Sequence, residues 1–461
     1  MASDNSISEP LSSESILQIE SFVEDAFNAH QSAMSFSDAQ LDEVICAISE
    51  KINKNILWFA QEEVKETGLG FTPHKVHKLG LVTQDVTQSL CGIKTTGLIS
   101  TAGHGTVMEY GSPVGVIFAV IPMTNPIPNS LFKILHSIKT RNAIILSYPS
   151  KTRILGRYFL TLVQELLAYY SLPIELVQMV PEKASRIFVQ HMMSHSSIDL
   201  VMATGGSGIV KAAHQSGNPT YGVGPGNAPV IICESADIKK AIYNIVQSKT
   251  YDHGIVCGSE NNLICAPEIY DEAIENLEHN CVAVLSSREK EHAIGILFSD
   301  EGQLRRILFG QSANKIAVLC DIKRDYQIKM IVIPAESKEV HRLGREKMAP
   351  IVSLFKAPFQ EAIILAKTIL TQEGIGHTAA IHSRKFVEIN DFAEKIPAGR
   401  LLVNTPSTFG MMGVSTDLPI SFALGSGTWG NNITTDGITW RHFINIKYLA
   451  KHTSDIHFND E

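Results

Sequence analysis

The feature that most constrains the fold is an alternation of short apolar runs and helical patterns that begins at residue 116. The runs Val116–Ile121, Ala143–Ser147 and Asp199–Ala203 are apolar along almost their whole length. Such continuous runs are typical of strands in a parallel sheet that helices cover on both faces. Because ligands of these sheets bind beyond the carboxyl ends of the strands, we expect functional residues directly after the runs.

A second alternation begins near Ala236 and includes Cys257, a predicted helix at 359–372 and a predicted strand at His377–His382. A chain of 461 residues is too long for one simple core, so more than one domain is expected. The two alternations therefore predict an α/β fold with two Rossmann-like parallel-sheet domains.

The segment before residue 116 has a different pattern. Ser37–Gln40 has the spacing of a capping box, which predicts that a helix begins there. Gly97–Ser100 and Thr106–Tyr110 flank a glycine-containing turn, which predicts a β-hairpin. This hairpin is either an ordinary edge hairpin or an arm that reaches another subunit.

Composition argues against several classes of partner. The net charge is −8, from 39 basic and 47 acidic residues without a long basic block, so neither nucleic acid nor an anionic membrane is predicted. The longest apolar run, Val114–Ile121, is too short to cross a bilayer, and Met1–Ser6 is polar and acidic, unlike a signal peptide. Seven cysteines without a CxxC pair indicate reduced thiols and no zinc site. We therefore expect a cytoplasmic protein without a metal.

Cys257 has small neighbours that suit a nucleophile. Gly254, Gly258 and Ser259 leave room beside its thiol for a substrate carbonyl, and backbone N–H groups there can bind the oxygen that becomes charged. A cysteine in a mostly apolar run is more often a small buried hydrophobic residue. Cys257 alone therefore does not decide between catalysis and packing.

A glycine-rich turn, Ala203–Gly208, follows a predicted strand and leads into a predicted helix at 208–215. The N–H groups of such a turn can bind a phosphate at the start of the helix. The turn departs from the GxGxxG pattern, and no acidic residue ends a following strand about twenty residues later. A turn without any ligand is an equally open interpretation.

Several stretches, taken together and in order, carry a resemblance to a known family. They are Pro122–Pro126, Ala203–Gly208, Gly222–Asn227, Tyr251–Cys257, Glu346–Pro350, Glu373–Thr378, Asn404–Ser407 and Leu424–Gly430. From roughly residue 110 to residue 450 the chain resembles the CoA-acylating aldehyde dehydrogenases. Within them it is most similar to the aldehyde dehydrogenase half of bifunctional alcohol/aldehyde dehydrogenases, and to the acylating enzymes for succinate semialdehyde and sulfoacetaldehyde.

The resemblance implies a domain arrangement. Residues 1–235 would form the nucleotide-binding domain, with a hairpin oligomerisation arm at about 95–113. Residues 236–430 would form the catalytic domain with the cysteine, and residues 431–461 would return to the nucleotide-binding domain or to the oligomer interface. The resemblance also implies a homo-oligomer, either a dimer or a tetramer.

The resemblance further implies that an aldehyde reacts with NAD or NADP and with CoA to give an acyl-CoA and the reduced nucleotide, in either direction. Cys257 would add to the aldehyde carbonyl, and the Asn125 amide and the Cys257 N–H would bind the oxyanion. Hydride transfer would then leave a thioester on Cys257. Glu346 matches the family glutamate that holds the nicotinamide ribose, and the alternative is a surface glutamate at a helix end.

The step that discharges the thioester separates the subclasses. Hydrolytic relatives carry a glutamate base where Gly222 stands in the matching stretch, so the CoA thiol is the expected nucleophile here. His377 resembles a family histidine that orients the substrate or accepts the thiol proton, although a histidine at the start of a strand is often structural. A hydrolytic aldehyde dehydrogenase, another cysteine reductase of this fold and a non-catalytic homologue are the alternatives.

The nucleotide-binding residues that the resemblance implies surround the glycine-rich stretches. They are Thr204, Gly205, Gly206, Gly208, Gly222, Gly224, Glu346, Ser147 and Lys151. The stretch Ser147–Lys151 departs from the Pro-His-Pro-(Lys/Arg) turn that relatives have near the adenine ribose, so the choice between NAD and NADP is open.

The candidate substrate pocket is the stretch Thr405–Thr416. It is apolar and rich in hydroxyl groups, without Arg or Lys, which favours a small uncharged aldehyde such as acetaldehyde. Sulfoacetaldehyde or succinate semialdehyde would need a cation from elsewhere in the chain, for example Arg153 or Arg400.

Overall fold

The computed structural model describes residues 11–102, 105–181 and 184–453. Within these ranges the chain forms one five-stranded sheet, one seven-stranded sheet and one three-stranded sheet. The first two are parallel throughout, and the third is an antiparallel hairpin joined by one further strand. The predicted α/β fold, with two parallel sheets and a hairpin arm, is confirmed. The predicted polar start, Met1–Ser6, and residues 454–461 lie outside the described ranges.

A helical layer precedes the sheets. Its helices are α1 (Ser13–Ala33), α2 (Asp38–Lys54), α3 (Ile56–Thr67), α4 (Thr72–Leu81) and α5 (Thr87–Leu90). The predicted capping box is confirmed, because Ser37 and Gln40 exchange side-chain and backbone hydrogen bonds at the start of α2. The apolar faces of α1 and α2 join the core of the five-stranded sheet. The predicted hairpin follows as β1 (Gly97–Ala102) and β2 (Val107–Pro113).

The five-stranded sheet contains the runs with which the alternation begins. Its strands are β3 (Val116–Val120), β4 (Ala143–Ser147), β5 (Val177–Met179), β6 (Leu200–Thr204) and β7 (Thr220–Val223). They lie in the spatial order β5-β4-β3-β6-β7. The helices between them are α6 (Pro126–Lys139), α7 (Arg153–Tyr169), α8 (Arg186–Ser194) and α9 (Ser207–His214). β3 therefore ends just before the stretch Pro122–Pro126, and β6 ends within the stretch Ala203–Gly208.

The seven-stranded sheet forms the second half of the fold. Its strands are β8 (Ala228–Ile232), β9 (Glu260–Cys265), β10 (Val282–Val284), β11 (Met330–Ala335), β12 (Ile351–Lys356), β13 (Gly376–His382) and β14 (Ala398–Val403). They lie in the order β10-β11-β12-β9-β8-β13-β14. The accompanying helices are α10 (Ile238–Thr250), α11 (Tyr270–His279), α12 (Ser287–Leu297), α13 (Ala313–Leu319), α14 (Val340–Leu343), α15 (Phe359–Gln372), α16 (Phe386–Lys395) and α17 (Ser407–Met411).

Two strands around the stretch Gly222–Asn227 were not predicted. β7 completes the five-stranded sheet, whereas β8 lies near the centre of the seven-stranded sheet although it falls within residues 1–235. A register shift between Ala228 and Pro229 accommodates the proline in β8. The chain thus passes from one sheet to the other over residues 224–227.

The chain returns to the hairpin near its end. β15 (Ile444–Ala450) pairs antiparallel with β2 and completes the three-stranded sheet. Tyr448 and Leu449 of this strand are exposed. None of the helices in the described ranges combines the length and the apolar character that a bilayer-spanning helix requires.

Candidate active site

A cavity of about 570 Å³ opens between the two parallel sheets. From the five-stranded sheet it is lined by residues that follow β3, β6 and β7, at the carboxyl ends of the strands. From the seven-stranded sheet it is lined by Cys257 and Glu346, which precede β9 and β12. The candidate residues of the first sheet therefore lie directly after their strands, as expected, whereas Cys257 and Glu346 lie before the amino ends of their strands, a position about which the sequence makes no prediction.

Cys257 lies on a tight turn before β9 and is partly exposed to the cavity. Three consecutive residues before it, Asp252, His253 and Gly254, have positive φ angles of 49°, 52° and 72°. A Cβ on Gly254 would lie 2.5 Å from the carbonyl oxygen of Ala349, so only glycine fits there without displacement of the backbone. The turn thus holds the thiol at the cavity wall by backbone shape.

The environment of Cys257 favours the neutral thiol. Burial raises the pKa of Cys257 to about 11, and the carboxylate of Glu346 adds to this effect. The charges of Arg400 and Lys78 act in the opposite direction without outweighing it. At neutral pH the thiol is therefore protonated and must lose its proton before it can add to a carbonyl.

Asn125 presents an amide to the same cavity. It is the N-cap residue of α6, directly before Pro126, which fixes the first turn of that helix. The Nζ of Lys78 donates a hydrogen bond of 2.6 Å to Oδ1 of Asn125. Because this oxygen is occupied, the amide N–H groups are the part of Asn125 that is available to a ligand oxygen.

Lys78 belongs to a buried ionic cluster, which we define as Glu63, Lys75, Lys78 and Asp252. All four side chains are at most 2% exposed. Lys75 pairs with Glu63 at 2.8 Å and with Asp252 at 3.1 Å, and Lys78 pairs with Asp252 at 2.5 Å. Burial alone would raise the pKa of Asp252, but the two lysine charges outweigh it and hold that pKa well below the usual range.

Glu346 lines the cavity from the segment between α14 and β12. Burial and then the charge of Glu373 raise the pKa of Glu346 to about 8. Near pH 7 this carboxyl is therefore mostly protonated and can either donate or accept a hydrogen bond. Among the described residues that line the cavity, Glu346 is the only one that carries a carboxyl group.

The segment of Glu346 is tied to the segment of Cys257 by two buried lysines. The Nζ of Lys249 donates to Oδ1 of Asn261 at 3.1 Å and to the carbonyl oxygen of Lys347 at 2.8 Å. The Nζ of Lys347 donates to Oδ1 of Asn262 at 3.2 Å. These hydrogen bonds connect three segments, namely the end of α10 that precedes Cys257, the start of β9, and the loop that contains Glu346.

His377 is buried at the start of β13 and does not line the cavity. Its Nδ1 lies 2.9 Å from Oγ1 of Thr378, and its Nε2 has no hydrogen-bond partner among the described residues. Burial and then the charge of Arg400 lower the pKa of His377 to about 3, so the imidazole is neutral. Gly226 lies between His377 and Cys257. A Cβ added to Gly226 would clash with the carbonyl oxygen of Cys257 and would lie 3.4 Å from Nδ1 of His377.

Comparison with known proteins identifies the family. The model described as "Aldehyde dehydrogenase family" matches residues 7–415. This chain belongs to the aldehyde dehydrogenase family. As such it is an NAD(P)-dependent oxidoreductase that acts on aldehydes.

The relatives of this aldehyde dehydrogenase confirm the acylating branch. The succinate-semialdehyde dehydrogenase (acetylating) of Clostridium kluyveri is 32% identical over 436 residues, which cover 94% of this chain and 96% of the relative. The bifunctional aldehyde-alcohol dehydrogenase of Escherichia coli K12 is 29% identical over 448 residues, which cover 96% of this chain and 50% of that enzyme. The crystal structure of an acetylating aldehyde dehydrogenase from Geobacillus thermoglucosidasius has a TM-score of 0.91 at 32% identity, covering 97% of this chain and 99% of the other.

The predicted nucleotide-binding residues of this aldehyde dehydrogenase fall into two groups. Those that line the cavity are Lys151, Thr204, Gly205, Gly206, Gly224 and Glu346. Those that do not line it are Ser147, Gly208 and Gly222. Gly206 is the N-cap residue of α9, and a Cβ on Gly206 or Gly224 would meet nothing within 4 Å in the described part of the chain. The backbone there is open to the close approach of a phosphate, which fits a nucleotide.

Gly222 faces away from the cavity. A Cβ on Gly222 would lie 2.5 Å from Nε2 of His214 and 2.7 Å from Cγ1 of Val210, both on α9. That Gly222 stands where hydrolytic relatives carry their carboxylate stays a prediction. β7 ends at Val223, the chain leaves the sheet there, and Gly224 is the position from which a side chain would enter open space.

Neither predicted cation reaches the cavity of this aldehyde dehydrogenase. Arg153 donates to the carbonyl oxygens of Tyr148 and Ala184, and Arg400 donates to three backbone carbonyls, including that of His377. Arg306, which sequence reasoning missed, lines the cavity and is exposed. From the predicted pocket stretch Thr405–Thr416, two methionines line the cavity, Met411 and Met412.

Proposed function

We propose that this aldehyde dehydrogenase converts a small aldehyde, CoA and NAD⁺ or NADP⁺ reversibly into an acyl-CoA and the reduced nucleotide. The observation that carries the proposal is the composition of one cavity. Cys257, Asn125 and Glu346 line it together, and no second carboxyl group lines it from the described residues.

The residues of this cavity suit the first half of the reaction. The Cys257 thiolate adds to the aldehyde carbonyl, and the carbonyl oxygen gains the negative charge. An N–H of the Asn125 amide donates to that oxygen, with the Cys257 N–H as a second candidate donor. A bound nicotinamide would supply the hydride acceptor for oxidation of the thiohemiacetal carbon, which would leave a thioester on Cys257.

The residues around the glycine-rich turn suit the nucleotide. Gly206 is the N-cap residue of α9, whose first N–H groups can bind a phosphate, and Lys151 adds a cation to the same cavity. Glu346 lines the same cavity and would accept or donate a hydrogen bond at a ribose hydroxyl. Nothing in these contacts favours NAD over NADP, so both belong to the proposal.

The absence of a second cavity carboxyl group supports thiolysis over hydrolysis. Water needs a general base to attack a thioester at neutral pH, whereas a thiol is the stronger nucleophile. Gly224, which opens into the cavity, carries no side chain that could serve as this base. The CoA thiol therefore attacks the thioester, and the thiolate of Cys257 leaves.

The substrate that we propose is a small uncharged aldehyde such as acetaldehyde. The support for it is the apolar wall near Cys257, which includes Ile255, Val256, Phe309 and Leu424. Succinate semialdehyde or sulfoacetaldehyde is the second candidate, because Arg306 provides an exposed cation on the same cavity. Arg306→Ala would separate the two, since it should raise KM for an anionic aldehyde and leave that for acetaldehyde nearly unchanged.

The assembly and the domain division are also proposals. The three-stranded sheet exposes Tyr448 and Leu449, which supports a homo-oligomer, a dimer or a tetramer, built on this sheet. The glycine-rich half around the five-stranded sheet would bind the nucleotide, and the half with Cys257 would carry the chemistry. A cytoplasmic location agrees with the reduced cysteines.

The test is formation of reduced nucleotide from acetaldehyde, with and without CoA, for the wild type and for Cys257→Ala. Both NAD⁺ and NADP⁺ are supplied, and succinate semialdehyde and sulfoacetaldehyde are run in parallel. We expect turnover that requires CoA and Cys257, with acyl-CoA as product. Steady turnover without CoA would favour the hydrolytic alternative, and no turnover with any combination would favour a non-catalytic homologue.

A further inference from the structure

Lys78 makes two contacts that together determine which way the Asn125 amide faces. Its Nζ donates to Oδ1 of Asn125 at 2.6 Å and to Oδ2 of Asp252 at 2.5 Å. The amide nitrogen of Asn125 has a contact of 3.5 Å with Oγ1 of Thr124, at the limit of a hydrogen bond. One side of the amide is therefore held firmly and the other is left to the cavity.

The chemistry of the two groups makes this orientation directional. An asparagine amide can rotate by half a turn and exchange its oxygen and nitrogen with little change in shape. An ammonium group has three donors and no acceptor, so it tolerates the amide oxygen and repels the amide N–H₂. The ammonium of Lys78 thus selects the rotamer in which the N–H₂ group faces away from it.

The ionic cluster prevents Lys78 from moving away. Asp252 binds both Lys78 and Lys75, and Lys75 donates in turn to the carbonyl oxygen of Thr124 at 2.5 Å. Glu63 accepts from the N–H of Ile127 at 3.3 Å. The cluster therefore forms hydrogen bonds to the backbone on both sides of Asn125. Its two lysines and two carboxyl groups also give it no formal net charge.

Removing Lys78 would favour the wrong rotamer. Asp252 would lose its nearer cation, and the N–H₂ group of Asn125 could turn toward the space that the ammonium of Lys78 leaves beside that carboxylate. The amide oxygen would then face the cavity, where it would repel a negatively charged oxygen instead of binding it.

We propose that Lys78 is a positioning residue, which holds the Asn125 amide with its N–H₂ group toward the oxygen of a carbonyl bound at Cys257. This inference rests on the proposed function for the identity of the substrate. It does not depend on CoA or on the nucleotide, because any carbonyl that Cys257 attacks develops charge on the same oxygen.

The experiment measures acylation of Cys257 by 4-nitrophenyl acetate, which needs neither CoA nor a nucleotide. The thiolate forms a bond to the acetyl carbon, the bond to the phenolic oxygen breaks, and 4-nitrophenolate leaves as a measurable burst. Cys257→Ala should abolish the burst. A burst that persists in this variant would overturn the proposal together with the assignment of Cys257.

Lys78→Met, Asn125→Ala and the double variant are compared as a double-mutant cycle. We expect each single variant to slow the acylation burst by about a hundredfold, as loss of one oxyanion donor does. In the Asn125→Ala background, Lys78→Met should slow it by less than about threefold further, because the group through which Lys78 acts is already absent. The ester concentration that half-saturates the burst should change little.

Lys75→Met is the matched control, because Lys75 belongs to the same cluster but donates to the carbonyl oxygen of Thr124, whereas Lys78 donates to the side chain of Asn125. It should lower the melting temperature about as much as Lys78→Met and slow the burst far less. If Lys78→Met fails to fold, Lys78→Met combined with Asp252→Asn keeps the cluster neutral and takes its place in the cycle. Equal slowing by Lys78→Met in both Asn125 backgrounds, or equal effects of the two lysine variants, would overturn the proposal.

If the wild type shows no CoA-dependent turnover, the proposed function is refuted, but the double-mutant cycle of Lys78 and Asn125 can still be interpreted. Conversely, active wild-type enzyme with an additive cycle would refute the positioning role alone.

Discussion

Gly222 and Gly224 lie two residues apart but differ in the space around them. A side chain at Gly222 would clash with α9, whereas a side chain at Gly224 would extend into open space. The first is the penultimate residue of β7 and packs against His214 and Val210, and the second follows the end of that strand. Of these two glycines only Gly224 lines the cavity that holds Cys257, so we expect a carboxyl group added at residue 224, and not at residue 222, to reach a thioester on that cysteine.

Gly224→Glu should give this enzyme a hydrolytic activity. The added carboxyl group would extend into the cavity that holds Cys257 and could activate water against the thioester. Formation of reduced nucleotide without CoA should then rise by about a hundredfold over the wild type, the lower end of the range that a general base contributes. Gly222→Glu is the matched control, and it should lower stability by about 1–3 kcal/mol through overpacking without any gain in CoA-independent rate.

The reactivity of Cys257 should rise steeply with pH. Because the thiol has a pKa of about 11, its thiolate fraction grows by about tenfold per pH unit between pH 7 and pH 9. The rate constant for alkylation by iodoacetamide, followed by peptide mass spectrometry at Cys257, should follow this slope and show no plateau below about pH 10.

Glu346→Gln should make the Cys257 thiol more reactive at a given pH. The carboxylate of Glu346 is, after burial, the next cause that raises the thiol pKa, and its own pKa is about 8. At pH 9, where Glu346 is ionised, Cys257 of the variant should therefore be alkylated faster than Cys257 of the wild type. At pH 6, where Glu346 is neutral, the two proteins should be alkylated at nearly the same rate. Equal rates at both pH values would contradict the assigned charge of Glu346.

Asp252→Asn should destabilise the protein by about 3–5 kcal/mol, because two buried lysines would face a single carboxylate. Asparagine tolerates the positive φ at this position, so the variant isolates the charge from the backbone. The pKa of Asp252 is lowered in the folded state, so its stabilising effect is present above the unfolded pKa and is lost as the pH falls. Urea unfolding should thus show a difference between variant and wild type at pH 7 that shrinks below about pH 4.

Gly254→Ala should test the backbone turn that carries the thiol. A Cβ at this position combines a φ of 72° with a distance of 2.5 Å to the Ala349 carbonyl oxygen, so a loss of more than about 1 kcal/mol is expected. Gly295→Ala is the control, since Gly295 lies inside α12 and a Cβ there would meet nothing within 4 Å in the described part of the chain. That variant should be about 0.5–1 kcal/mol more stable than the wild type.

Much of the fold follows from the sequence because its signals are local. β4 and α15 lie where the apolar run Ala143–Ser147 and the helical pattern at 359–372 predict them. β7 and β8 were missed because glycines and a proline interrupt them, and their pairing depends on neighbours distant in the chain. For the same reason, the sequence does not reveal which sheet a strand joins, because its partner strands are distant in the chain.

Some residues of the candidate site could likewise be predicted from the sequence, and others could not. Cys257, Asn125 and Glu346 lie within motifs, and the structure brings them to one cavity. Lys78 and Lys75 were missed because a lysine on a helix normally faces solvent, and no local signal reveals that Asp252, more than 170 residues away, pairs with both. The direction of Gly222 could not be predicted either, since it depends on where β7 ends.

The most direct test of the central claim is the mass of the peptide that contains Cys257, after incubation with acetaldehyde and NAD⁺ in the absence of CoA. We expect this peptide to gain one acetyl group on Cys257, which persists in buffer and which added CoA removes with formation of acetyl-CoA. An unmodified Cys257 alongside steady NADH formation, or an acetyl group that water removes as fast as CoA does, would contradict a Cys257 thioester that is discharged by CoA.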